Sequence, residues 1–112
     1  MKTKTIQTFE INIFISGPLA AIEDVCRAEM RREDYCVTVT PTRFVFGGGD
    51  QEGARVGLLS YPRKPCPDAV LRNRAEKLAR ELLDGLHQNT ALIVDPDTTT
   101  WISVAEEPGG GE

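Results

Sequence analysis

Residues 37–61 read VTVTPTRFVFGGGDQEGARVGLLSY, and they contain two runs of strand-forming residues around a glycine-rich turn. Valine and threonine alternate in the first run, which is typical of a β-strand. Residues 47–53 predict a hairpin loop longer than two residues, and residues 55–61 predict the partner strand. Pro41 cannot donate a ladder hydrogen bond, so we expect an edge strand or a bulge at that position. The stretch therefore predicts one long β-hairpin in the middle of the chain.

One strand and one helix precede this hairpin, and one helix and two strands follow it. Apolar and polar residues alternate over residues 9–16, and apolar residues recur at helical spacing over residues 18–32. After three closely spaced prolines, residues 67–86 carry a second apolar helical stripe. Residues 91–94 and 98–104 predict the last two strands. The order βαββαβ with an added C-terminal strand predicts an α+β, ferredoxin-like fold, in which two helices cover one face of an antiparallel sheet.

The size and composition favour a single domain. The chain has 112 residues, of which 40% are apolar, enough for one modest core. We expect this domain to span residues 1–105 and residues 106–112 to form a disordered tail. No run approaches the ~20 apolar residues of a membrane span, and the first residues do not read as a signal peptide. The three cysteines form no CxxC pair, which indicates a reducing, cytoplasmic location.

Positive charge is concentrated in the middle of an otherwise acidic protein. Residues 43–80 contain eight basic and four acidic residues, a net charge of +4, whereas the other residues contain five basic and 13 acidic ones, a net charge of −8. The whole chain carries −4, which argues against general binding to DNA or to acidic membranes. The local excess of positive charge predicts attraction of a small anionic ligand to this region.

Four residues of this region form the predicted ligand site: Arg43, Arg55, Tyr61 and Arg63. If the two strands pair around the loop, Arg43 and Arg55 lie near each other, with Tyr61 and Arg63 at the far end. Arginine side chains suit phosphate groups, and an aromatic ring can stack on a base. The alternative is a solvated basic edge that discourages pairing between sheet edges.

Two other features of the middle region have structural as well as functional explanations. The glycine-rich loop lacks the lysine and the following helix of a P-loop, so we expect a hairpin tip or a lid. Arg72, Arg74 and Lys77 fit a solvated helix face. There, Arg72 pairs with Glu76 and Lys77 with Glu81, each four residues apart.

No set of residues predicts a reaction. His87 is the single histidine and falls near the end of the second helix, where a cationic ring interacts favourably with the helix dipole. No spacing of cysteine, histidine or carboxylate residues predicts a nucleophile, a metal site or a cofactor. We therefore expect a binding protein that is not an enzyme and that has no metal and no cofactor.

Residues 13–19, IFISGPL, resemble the first ribonucleoprotein motif of RNA-recognition domains, which share the βαββαβ order. This resemblance implies that Phe14 stacks on a base. The second motif of that family has two aromatic residues on the third strand, where residues 55–61 supply only Tyr61. RNA recognition is therefore a second alternative function.

Three blocks resemble small accessory proteins of phages and prophages: residues 36–42 (CVTVTPT), 56–63 (VGLLSYPR) and 99–103 (TTWIS). Accessory phage proteins of this kind include inhibitors of bacterial defence, either anti-CRISPR proteins or sponges that trap the nucleotide signals of Thoeris or CBASS systems. The resemblance implies this class and a location in the cytoplasm of a bacterial host. It assigns no residue a role.

The leading hypothesis is a homodimer or higher homo-oligomer that sequesters a small anionic, nucleotide-like signal through the four predicted ligand residues. The first alternative is an anti-CRISPR inhibitor that binds a basic Cas protein complex through its acidic first helix. The acidic residues of that surface are Glu23, Asp24, Glu29, Glu33 and Asp34. Either way, we expect the function to lie on the sheet face that the helices leave uncovered.

Overall fold

A computed structural model describes residues 1–104 of the protein. The predicted disordered tail, residues 106–112, lies outside the described residues. The elements are β1 (Glu10–Ser16), α1 (Leu19–Arg32), β2 (Val37–Phe46), β3 (Gly49–Leu59), α2 (Asp68–Leu86), β4 (Thr90–Val94) and β5 (Thr99–Ser103). No helix among the described residues is both long and apolar enough to cross a membrane.

The five strands form one antiparallel sheet in the order β2-β3-β1-β4-β5. The first four strands in chain order give the ferredoxin-like arrangement, and β5 extends the sheet beside β4. Both helices pack on the same face of this sheet, so the predicted fold class is confirmed. We call the face under the helices the covered face and the other one the open face.

Side chains on the covered face form the hydrophobic core. Ile11, Ile13 and Ile15 of β1 are at most 1% exposed, and Val56 and Leu58 of β3 are fully buried beside them. The helices add Ile22, Cys26, Leu71, Ala75, Leu78, Ala79, Leu82 and Leu83. Burying one large aliphatic side chain stabilises a fold by about 1.5–3 kcal/mol, so this face supplies most of the stabilising free energy.

The central hairpin is tighter than the sequence predicts. β2 ends at Phe46 and β3 begins at Gly49, so the turn consists of two glycines, not of residues 47–53. The acidic residues after the turn belong to the ladder, where Arg43 forms an ion pair with Asp50 at 3.0 Å. Cross-strand pairing of a basic with an acidic residue therefore extends the strands into the predicted loop. β2 is an edge strand, as Pro41 predicts.

The helix ends are set by residues close to the predicted positions. Pro18 precedes the first residue of α1, and the backbone N–H of Leu19 donates to Glu52 at 3.2 Å. The acidic side chain on β3 thereby satisfies one of the free N–H groups at the helix start. α2 ends at Leu86, and His87 follows in the left-handed conformation, with φ of 55°.

Candidate functional site on the open face

The open face carries side chains that no helix covers. Strand alternation places these residues on it: Glu10, Asn12, Phe14, Ser16, Thr38, Thr40, Thr42, Phe44, Gly53, Arg55, Gly57, Leu59, Leu92, Val94, Thr99 and Trp101. Most are polar or partly exposed, in contrast to their isoleucine and valine neighbours on the covered face. The open face therefore places aromatic, charged and amide groups side by side.

One row of side chains crosses all five strands at the centre of the open face. The cross-strand partners run Thr40, Arg55, Phe14, Leu92 and Trp101. Adjacent strands are about 4.8 Å apart, so neighbours in this row contact each other and the row is roughly 19 Å long. Trp101 is 53% exposed at the β5 end of the row, and Arg55 makes no ion pair within residues 1–104. The row thus combines an unneutralised cation with two aromatic rings.

Polar side chains lie beside this row, over Gly57. A Cβ atom built at Gly57 would lie 2.6 Å from Thr38 Oγ1 and 3.1 Å from Asn12 Oδ1, so these two side chains already occupy the space above the glycine. The amide nitrogen of Asn12 donates to a carboxylate oxygen of Glu10 at 3.4 Å. The absence of a side chain at Gly57 therefore lets amide, hydroxyl and carboxylate groups lie side by side on the open face.

The structure does not gather the four predicted ligand residues into one cluster. Arg43 extends to the covered side of the hairpin, where Asp50 neutralises it, whereas Arg55 lies on the open face. The hydroxyl of Tyr61 donates to Cys36 Sγ at 3.6 Å, beyond the end of β3. Arg63 is exposed in the turn that the Lys64 N–H closes on the Tyr61 carbonyl at 3.0 Å. Ligand binding by these four residues stays a prediction, and Arg55 is the member on the open face.

Three of the four basic residues of α2, all except Arg80, are paired with acidic residues outside the helix. Arg74 Nε lies 2.7 Å from Glu33 Oε2, and its guanidinium lies 4.6 Å from the centre of the Tyr35 ring. The predicted Arg72–Glu76 pair is not formed; Arg80 pairs with Glu76 at 2.8 Å. Fixed side chains of this kind connect α2 to the end of α1 and leave little free charge on this side.

Arg72 instead joins α2 to the turn between β4 and β5. It contacts the carboxylate of Asp95, lies 3.5 Å from Asp97, and stacks over the Phe9 ring at 4.9 Å. Burial alone would raise the pKa of Asp95. The backbone N–H groups of Thr98 and Asp97, followed by the Arg72 charge, outweigh that effect and hold the pKa below its usual value. This ion pair is therefore a structural clamp.

A buried carboxylate lies between the two helices. Glu29 is fully buried, with Arg32 Nε at 3.2 Å and Lys77 Nζ at 3.5 Å. The predicted pair of Lys77 with Glu81 is thus replaced by one with Glu29, while Arg32 also binds Glu81 at 2.9 Å. Burial would raise the pKa of Glu29, but hydrogen bonding to Glu81 and the charges of Lys77 and Arg32 lower it. The pKa of Glu81 is raised by its burial and by its bond to Glu29.

The central row was only partly visible in the sequence. The sequence predicts roles for Phe14 and Arg55, but in two different sites. It places Leu92 and Trp101 in strands and predicts no functional role for them. Strand alternation does predict the face on which these residues lie. Each of them is adjacent in sequence to a buried residue, so its side chain must point to the opposite face. What alternation alone does not supply is the register that aligns them.

Two solved structures of a phage S-adenosylmethionine (SAM) lyase share the fold. The lyase in its apo state matches with a TM-score of 0.71 at 11% identity, over 88% of this chain and 91% of that chain. The lyase in complex with S-methyl-5'-thioadenosine matches with a TM-score of 0.65 at 14% identity, over 93% and 95% of the two chains. No family model and no curated protein matches the sequence. At these identities the likeness establishes the fold alone.

The prediction that the protein is not an enzyme is contradicted by this comparison, because both similar structures are of a lyase. That prediction rested on missing sequence motifs for nucleophiles, metals and cofactors. Such motifs are specific to particular chemistries, and a fold of this kind can carry a reaction that needs none of them. Their absence from the sequence is therefore no argument against catalysis.

Proposed function

We propose that this protein is a phage anti-defence enzyme of the SAM lyase type, which binds SAM on the open face and cleaves it. The single observation that carries the proposal is the match of the whole fold to a phage SAM lyase, over 88% of this chain and 91% of that chain. Bacterial defence systems that use SAM lose activity when this cofactor is removed. Cleavage of SAM would therefore protect a phage from such systems.

The chemistry of the open face supports this substrate. SAM contains an adenine ring, a positive sulfonium and an amino acid with a carboxylate. Aromatic rings such as Phe14 and Trp101 attract both flat bases and cations. The free guanidinium of Arg55 suits the carboxylate, and Glu10 suits the ammonium group. Each part of the substrate thus has a complementary side chain on the same face.

The reaction needs little from the protein in the way of acid–base groups. As the bond between sulfur and the γ-carbon of the amino-acid chain breaks, an oxygen of the substrate's own carboxylate forms a bond to that carbon. The products are a lactone of the amino-acid chain and S-methyl-5'-thioadenosine, a neutral thioether that departs without receiving a proton. Positive charge on sulfur decreases as the bond breaks, and a weakly polar, water-poor surface stabilises such a transition state relative to the charged substrate. The role we propose for this chain is to hold the amino-acid end with Arg55 and to surround the sulfonium with aromatic and apolar groups.

A flat face encloses a small molecule poorly, so we propose that a second copy of the chain closes the site. Binding sites usually bury 70–90% of a small ligand. Leu59, Leu92 and Trp101 are all exposed on the open face, where a second copy would cover them. The predicted homo-oligomer therefore has a function in this proposal, namely to exclude water from the bound substrate.

The test is to incubate the purified protein with SAM and to measure S-methyl-5'-thioadenosine by liquid chromatography. We expect product with the wild type. Arg55→Ala should lower kcat/KM at least about tenfold, because a charge-assisted hydrogen bond to the carboxylate is lost. Arg43→Ala is the matched control and should stay within about twofold, since Arg43 is already paired on the other side. No product from the wild type, or equal losses in both variants, would contradict the proposal.

The alternative of a protein-binding inhibitor has less support from the described residues. Of the acidic residues on α1 and directly after it, Glu29 is buried, Glu33 pairs with Arg74, and Asp24 pairs with Arg27 at 3.2 Å. Paired carboxylates present little net negative potential to a basic partner. We therefore put the enzyme proposal first.

A further inference from the structure

A groove lies on the covered side of the molecule, between α1 and the edge strand β2. It has a volume of about 510 Å³, within the range of small-molecule sites. The groove exists because β2 is the outermost strand, and α1 leaves the outer side of that strand half-covered. It is separate from the open face, since Val37 and Val39 contribute to it with the side chains that point towards the helices.

The floor of the groove is apolar and incompletely covered. Cys26 is buried beneath it, and Met30, Val37 and Val39 are half-buried around it. When a further apolar group covers partly exposed apolar side chains, the free energy of the system decreases. Met30 is unbranched and flexible, so it can adjust to the shape of an aromatic or aliphatic body.

The walls of the groove are fixed by contacts outside it. The hydroxyl of Tyr35 lies 3.5 Å from buried Glu29, and the Arg74 guanidinium stacks on the ring at 4.6 Å. At the same end, Cys36 Sγ accepts a hydrogen bond from the Tyr61 hydroxyl. Side chains that are already held in place lose little conformational entropy when a ligand binds.

The rim of the groove carries one free positive charge. Arg27 is neutralised by Glu23 at 3.8 Å and by Asp24 at 3.2 Å. Arg31 lies one helical turn further along and makes no ion pair with any residue from 1 to 104. An apolar floor beside an unpaired guanidinium is complementary to a molecule with an apolar body and one anionic group.

We propose that this groove is a second ligand site, which binds an amphipathic organic anion with its apolar body on Met30, Val37 and Val39 and its carboxylate, sulfonate or phosphate on Arg31. This ligand differs from SAM, which is a cation at neutral pH. The site is thus independent of the reaction on the open face, and its test does not use enzymatic activity.

Two fluorescent probes with the same ring system test the proposal: anilinonaphthalene sulfonate and N-phenylnaphthylamine, which lacks the sulfonate. Each is titrated into the folded wild-type protein. Arg31→Gln should weaken binding of the sulfonate about tenfold and leave the uncharged probe unchanged, because only the sulfonate uses the guanidinium. Arg80→Gln makes the same charge change on α2, away from the groove, and should change neither affinity.

A second pair of variants locates the probe. Met30→Trp fills the groove and should abolish saturable binding of both probes, whereas Leu92→Asn alters the open face and should leave both affinities unchanged. Circular dichroism confirms that each variant is folded. The proposal is overturned by an absence of saturable binding to the wild type, by equal effects of the two arginine variants, or by loss of binding in Leu92→Asn alone.

Discussion

The covered and open faces of the sheet are built from the same five strands, yet they differ in almost every physical property. On β1, Ile11, Ile13 and Ile15 point to the covered face and are at most 1% exposed. Asn12 and Phe14, which alternate with them, point to the open face and are partly wet. The covered face consists of apolar side chains that pack closely under the two helices. The open face carries polar, charged and aromatic groups that this packing does not require.

The two faces separate the residues that stabilise the fold from those that are available to bind a ligand. Core side chains contribute free energy through burial, so almost any large truncation there destabilises the fold. Residues of the open face contribute little burial, so changes there should alter ligand binding while the fold persists. Neighbouring residues of a single strand can therefore be used as matched pairs.

The sharpest pair is Ile13→Ala and Phe14→Ala. Ile13 is fully buried and its truncation leaves a cavity, so we expect a loss of about 4 kcal/mol in the free energy of unfolding. Phe14→Ala should cost about 1 kcal/mol but abolish most SAM turnover. Urea unfolding and the product assay measure the two effects. A larger stability loss for Phe14→Ala than for Ile13→Ala would contradict the contrast between the faces.

The buried carboxylate between the helices tests whether charge on the covered side is needed for stability. Glu29→Ala removes the partner of Arg32 and Lys77 and leaves space between the helices, so we expect a loss of about 3 kcal/mol. Glu29→Met fills that space without charge and should stay within about 1 kcal/mol of the wild type. Urea unfolding of both variants distinguishes packing from charge: equal losses would show that the ion pairs dominate.

Two glycines of β3 differ in the atoms that an added Cβ atom would contact. A Cβ at Gly53 would lie 2.3 Å from the Ile15 carbonyl oxygen and 2.5 Å from the Phe44 ring, so Gly53→Ala should cost about 2 kcal/mol. Gly57→Ala meets the Thr38 hydroxyl at 2.6 Å, which can rotate away, and should cost about 1 kcal/mol. Adding Thr38→Ala should recover most of that smaller loss and none of the larger one. Thermal unfolding provides the measurement.

The clamp at the β4–β5 turn predicts a modest pH dependence. The pKa of Asp95 is lowered in the folded state, so its stabilising effect is complete above the unfolded pKa of about 3.9 and is lost as pH falls through the folded pKa. Asp95→Asn should therefore be about 1 kcal/mol less stable than the wild type at pH 7. The difference should shrink below about pH 4. A constant difference from pH 7 to pH 3 would contradict this account.

The element order was predictable from the sequence because each element carries its own periodicity. The stripes of α1 and α2, the isoleucines of β1 and the edge position of Pro41 are local signals, and the structure confirms them. The buried position of Glu29 was also readable, since it continues the spacing of Ile22 and Cys26 on α1. The sequence nevertheless predicts an exposed acid there, because charged residues are rarely buried without partners and Lys77, one partner of Glu29, lies on α2.

The candidate site was less predictable because it depends on register. A seven-residue loop would allow Arg43 and Arg55 to be neighbours on one face of the sheet. With the two-residue turn that the structure contains, Arg43 lies opposite Glu52 in the strand register and Arg55 lies opposite Thr40. This register places the two arginines on opposite faces of the sheet. A shift of one residue changes the face of every side chain, and the sequence of a glycine-rich turn does not fix that shift.

Binding of the substrate to the open face can be tested by titrating methyl-labelled protein with S-methyl-5'-thioadenosine in an NMR experiment. Leu58 and Leu59 are adjacent in β3 but face opposite sides, and Leu92 lies in the central row. We predict that the methyl resonances of Leu59 and Leu92 shift with ligand while those of Leu58 stay in place. Shifts confined to Val37, Val39 and Met30, or to core methyl groups, would contradict the account.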